Sequence, residues 1–135
     1  MSWDIFVQDL PLAARTIRDT PEGFARAPLD SRASLIRRIL EVAPTASFTD
    51  PAWGTLDADS FSVEFNIGDE DPVQCLALHV RGDDAAAAFV SDLLSHLGYR
   101  ALDPQSDSGL FEPGQVAEIS LRRWRAFRDH SKARS

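Results

Sequence analysis

Three side chains in the middle of the chain have the types needed for polar chemistry. His79 and Arg81 sit two residues apart in an apolar run, so a strand there puts both on one face. Glu64 belongs to the alternating segment Phe61-Ser62-Val63-Glu64-Phe65-Asn66-Ile67 and faces away from Phe65. Histidine is the side chain that exchanges a proton near neutral pH. A carboxylate and a guanidinium beside it would line a polar cleft for a small ligand. No serine or cysteine neighbours His79 to complete a nucleophile pair, so a hydrogen-bonded structural histidine is the competing reading. His96 falls on a polar helix face and His130 near the end of the chain. No catalytic residue follows from these types and spacings.

Carboxylates form the second candidate surface. Gly68-Asp69-Glu70-Asp71-Pro72 places three of them in one turn, and Asp57 and Asp59 occupy another. With Trp53, an aromatic beside Pro51 and Gly54, they define a surface for a basic protein partner: Asp57, Asp59, Asp69, Glu70, Asp71 and Trp53. The alternative is a pair of solvated turns. A calcium or magnesium ion needs several oxygen ligands around it. The spacing here matches no such loop, because the glycine precedes the acids and no downstream glutamate fits. No metal and no cofactor is expected. Cys75 is the sole cysteine, so it forms no internal disulfide and no thiolate metal site; in its apolar run it reads as a small core residue. Asp103 to Gly109 is rich in hydroxyls and carboxylates but resembles neither a phosphate-binding loop nor a nucleophile elbow.

The charge layout narrows the partners. Residues 1–114 hold eight basic and nineteen acidic groups, a net −11, and residues 115–135 hold six basic and two acidic groups, a net +4; together these give the −7 of the whole chain. An acidic body repels nucleic acid and anionic membrane surfaces and attracts basic partners. The segment Leu121-Arg122-Arg123-Trp124-Arg125-Ala126-Phe127-Arg128 interleaves arginine with aromatics, a pattern also seen in single-strand binders. Beside −11 on the rest of the chain, neutralisation of the protein's own acidic body is the better reading. The start, MSWDIFVQDLP, lacks a basic region followed by a long apolar run, so no signal peptide is expected. No run reaches the ~20 apolar residues of a membrane span. A cytoplasmic location follows as the expectation.

These residues need elements to hold them. At 135 residues one domain is expected, with a core that needs no staples. Trp3 to Leu10 reads as a strand ended by Pro11, and residues 12–30 as a long ordered loop pinned by Leu12, Ile17, Phe24 and Leu29. Asp30 or Ser31 caps a helix with Leu35, Ile36, Ile39, Leu40 and Ala43 on one face, stopped by Pro44. Phe48 to Pro51 reads as a loop and Trp53 to Leu56 as a short strand. Phe61–Ile67 and Val73–Val80 form a hairpin, the second strand the more central. A second helix carries Ala86, Phe89, Val90, Leu93, Leu94 and Leu97 and ends at Gly98, followed by a strand over Tyr99 to Leu102. A third helix is expected from Gln115 to about Asp129. The order predicts an α+β fold: a ferredoxin-like βαββαβ antiparallel sheet with two helices on one face. Residues 1–112 make the domain and residues 113–135 a basic helical extension.

The segments MSWDIFVQDLP, DPAWG at 50–54, FSVEFNIGDEDPV at 61–73 and LHVRG at 78–82 together resemble a group of small bacterial proteins. That group shares the same start, tryptophan-glycine turn, acidic hairpin and histidine-containing strand. The resemblance spans roughly residues 1–112 and has no established activity attached, so it implies a bacterial cytosolic setting and no chemistry.

Fold does not dictate function. The first expectation is a non-enzymatic interaction protein, immunity- or antitoxin-like, whose acidic surface masks a basic protein partner. The second is a small-molecule binder or enzyme with Glu64, His79 and Arg81 in a cleft by the sheet. A homodimer joined through a sheet edge or open sheet face is the third.

Overall fold

A computed structural model describes residues 3–11, 15–82, 84–106 and 108–111. One sheet of six antiparallel strands dominates it: β1 (Trp3–Gln8), β2 (Ser47–Asp50), β3 (Trp53–Asp57), β4 (Phe61–Asn66), β5 (Leu76–Gly82) and β6 (Arg100–Leu102), in the spatial order β2-β3-β4-β5-β1-β6. Helix α1 (Arg32–Val42) lies between β1 and β2 in the chain, and α2 (Asp84–Leu97) between β5 and β6. The expected ferredoxin-like βαββαβ plan is therefore overturned. Its physical cause is the stretch after α1. Phe48 to Pro51, expected as a loop, belongs to a hairpin instead: Asp50 pairs with Trp53, and the Asp50 carboxylate accepts the Ala52 amide at 2.9 Å to close the turn. Pro51 falls in that turn, where a fixed φ costs nothing. All five residues of β3 then pair with β4 and extend the sheet.

Alternation decides which face of each strand meets the core. Trp3, Ile5 and Val7 of β1, Val63 and Phe65 of β4, and Leu76, Leu78 and Val80 of β5 are buried in one cluster with Leu35 and Ile39 of α1 and Val90, Leu93 and Leu97 of α2. Each such aliphatic or aromatic side chain gains about 2 kcal/mol by leaving water. Phe89 of α2 packs its ring on Phe61 and Phe65, with centroids 5.5 and 6.4 Å apart. Gly54 of β3 has no room for a side chain, because an added Cβ would lie 2.2 Å from the Phe48 ring. That ring in turn packs on Phe65 at 5.6 Å.

The helix ends carry the expected caps. Ser31 accepts the Ser34 amide at the start of α1, and the Asp71 carboxylate accepts the Arg32 amide at 3.0 Å. After α2, Gly98 at φ +75° lets its own amide and that of Tyr99 both reach the Leu94 carbonyl. Leu29 and Asp30 pair with Val73, which fastens the loop before α1 to the loop between β4 and β5. The helix expected over 115–129, and the extension 113–135 as a whole, lie outside the described residues. Among the described residues no helix is long and apolar enough to cross a membrane.

Candidate functional site: the outer face of the sheet

The strand residues that alternate away from the core form a second, polar face. Strand register orders them in rows. Asp4, His79, Glu64 and Thr55 stand side by side across β1, β5, β4 and β3. The next row runs Leu102, Phe6, Ala77, Asn66 and Trp53 from β6 to β3. On the other side of His79 lie Arg81, Ser62 and Asp57.

His79 is its centre. One ring nitrogen, Nδ1, lies 2.8 Å from Asp4 Oδ1, a bond that fixes the ring's orientation. The Trp53 indole stacks on the imidazole at 5.6 Å and 19°. Trp53 and His79 stand two strands apart, so the indole crosses the β4 row to reach it. Trp53 is the exposed large hydrophobic side chain among the described residues, at 38%. Sequence reasoning placed Glu64, His79 and Arg81 on one face, and the register brings Glu64 directly opposite His79. It missed Asp4, Phe6 and Thr55. Their outward alternation was readable, but which residue stands beside which depends on register, and no local signal fixes that.

An open hollow of about 570 Å³ continues from this centre under the loop between β4 and β5. Phe6, Ala77 and Asn66 come from the sheet, and Gly68, Asp69, Glu70, Gln74 and Cys75 from the loop. The acidic residues grouped by sequence separate here. Asp57 and Asp59 lie at the β3–β4 turn, while Asp69, Glu70 and Asp71 lie beyond the opposite end of β4, about 20 Å away at strand rise. Asp71 is committed to the start of α1. Neither a hydrogen bond nor an ion pair engages the Glu64, Asp69 or Glu70 carboxylates among the described residues. Trp53 is next to Asn66 and hence at the Asp69–Glu70 end.

Cys75 is half-buried rather than a core residue. Burial pushes its thiol up, against the opposing pull of the Gln8 amide and of Arg26. The Gln8 side chain donates to Cys75 Sγ at 3.5 Å and accepts from Arg26. No group of histidine, cysteine, aspartate and glutamate suited to a metal ion occurs among the described residues.

A second polar centre is structural. Arg38 of α1 donates to Asp30 at 3.1 Å, to the Tyr99 hydroxyl at 3.2 Å and to the Leu97 carbonyl at the end of α2. Its guanidinium also lies 5.3 Å from the Tyr99 ring centre, and Tyr99 donates to the Leu29 carbonyl. Asp30 also accepts the Ser31 amide and the Ser34 hydroxyl, and these bonds hold its carboxyl below the ordinary range. A further hollow, about 450 Å³, lies between the end of α2 and β6, lined by Leu94, Tyr99, Arg100 and Phe111 among others.

No family model matches the chain, and comparison with curated proteins and solved structures found no match.

Proposed function

We propose that the chain is a non-enzymatic interaction protein whose outer sheet face receives a basic segment of a partner protein, in the manner of an immunity protein or antitoxin. The observation that carries this is the juxtaposition of an exposed anchor, Trp53 stacked on His79, with the uncommitted carboxylate of Glu64 opposite His79 and those of Asp69 and Glu70 lining an open hollow. Aromatic anchors held rigid by their neighbours supply much of the energy at protein interfaces. Carboxylates not already paired speed the approach of a basic partner and set its register. Asp57 and Asp59 extend the negative field at the far end of β4. The acidic balance of residues 1–114 disfavours nucleic acid, and the single cysteine fits a bacterial cytosolic setting.

A display library of random peptides, panned on the full chain, tests this. Arginine- or lysine-bearing sequences should be enriched, and the Trp53→Ala chain should lose about tenfold or more of their affinity, as hot-spot truncation does. Enrichment of acidic or purely apolar sequences would count against it.

The Asp4–His79 bond favours a second reading, a small polar ligand bound at Glu64, His79 and Arg81. An imidazole oriented by a carboxylate is the usual arrangement of a general base. A metabolite panel that raises the melting temperature of the chain, but not of His79→Gln, would support it.

A further inference from the structure

We infer that a proton taken up by His79 switches the outer face from a receptor for basic sequence to a self-paired surface, so that a basic partner is held near neutral pH and released in mild acid. The inference rests on the reading of the face as such a receptor. Asp4 Oδ1 lies 2.8 Å from His79 Nδ1. An ionised carboxylate only accepts, so Nδ1 carries the proton of the neutral ring. A second proton must enter at Nε2. It turns the neutral ring into a cation at the centre of the face, in the range of pH where histidine changes charge.

The groups beside the ring are placed to feel that change. Asp4 of β1 is bonded to it, and Glu64 of β4 stands opposite it in the pairing. Arg81 lies two residues on along β5, with Ser62 of β4 and then Asp57 of β3 in its row. From β3, Thr55 ends the row of His79, and the Trp53 indole stacks on the ring. While the ring is neutral, the Glu64 carboxylate has no partner among the described residues and is open to an arginine or lysine from outside. Once the ring is charged, Glu64 faces an opposite charge directly across the strand pair, an arrangement that stabilises neighbouring strands. The imidazolium also holds the indole more firmly, since a cation is drawn to an aromatic face. One proton therefore engages both the carboxylate and the aromatic anchor that a basic partner uses, and adds a charge that repels it.

Binding of a display-selected arginine peptide to the full chain tests the switch, with capped ends and no histidine in the peptide. At low ionic strength its Kd should rise about threefold or more from pH 7.5 to pH 5.5, the weight of one unit charge about 6 Å away in a water-like dielectric. In His79→Gln the ratio of the two Kd values should stay near one. Carboxylates keep their charge across this window. His96, paired with Glu41 of α1, and His130 act equally in both chains. A second readout needs no variant. Saturating peptide should lower the midpoint of the His79 ring titration, followed by its Cε1–H signal, by about half a pH unit, because a threefold coupling acts equally in both directions. A Kd indifferent to pH, a change just as large in His79→Gln, or an unmoved midpoint overturns the switch and leaves the receptor reading standing. If no basic peptide binds the face at either pH, the receptor reading falls and the switch falls with it.

Discussion

Arg38 shows how much one side chain can hold. It joins α1 to the end of α2 and to the Asp30 carboxylate, and hydrogen bonds to charged groups of this kind are worth about 1.5–3 kcal/mol. Arg38→Ala should lower the unfolding free energy by about 2–3 kcal/mol in urea titrations. The pH dependence follows from the Asp30 carboxyl, held below its ordinary value by the Ser34 hydroxyl, the Ser31 amide and Arg38. A depressed carboxyl contributes stability above the ordinary value and loses it as pH falls through the folded one. Acidification below about pH 4 should therefore destabilise the native chain more steeply than Asp30→Asn. Asp19 acts in the same sense, through the Arg15 and Thr16 amides. Cys75 goes the other way: its raised thiol carries less thiolate, so alkylation at pH 8 should run slower than for a free cysteine. These networks were not legible in the sequence. Tyr99 stands 61 residues from Arg38 along the chain, and nothing local distinguishes Arg38 from Arg37.

Elements were legible where their period is strong. The Phe61–Asn66 alternation, the stripe of α2 and Gly98 at its end all appear as expected, because each is set by residues a turn or a strand apart. The hairpin of β2 and β3 was not, because β2 has only four residues and a single core-facing aromatic, Phe48. Its place depends on Gly54, which leaves the space that the Phe48 ring fills. Gly54→Val should cost about 1–3 kcal/mol through overpacking. In the Phe48→Ala background the same change should cost less, a non-additivity readable in a double-mutant cycle by thermal melts. The loop after β6 is pinned in a different way. Asp103 is fully buried, accepts the Trp3 indole N–H at 3.0 Å and the Gln105 amide, and so fixes the path from β6 to Leu110. The Asp103-to-Gly109 stretch read as a plain loop, since a buried carboxylate in it is recognisable only beside Trp3.

At the scale of the molecule, one face of the sheet is committed to the core and the other gathers Trp53, His79, Glu64 and the hollow beneath Asp69 and Glu70. The sequence showed the charge imbalance and three of the outer-face residues. Register, a property of whole strands, put them together and moved Asp57 and Asp59 away from Asp69 and Glu70. Binding through such a face should weaken as salt rises, because exposed charges are screened within about 10 Å at 0.1 M. The most direct measurement is an amide shift map of the full chain titrated with a display-selected basic peptide at low and moderate salt. Perturbations should gather at Asp4, Trp53, Thr55, Glu64 through Glu70 and Ala77 through Arg81, and fade with added salt. Shifts clustered instead on α1, α2 or the strand β6, or an affinity indifferent to salt and to Trp53→Ala, would contradict an interaction surface on the outer sheet.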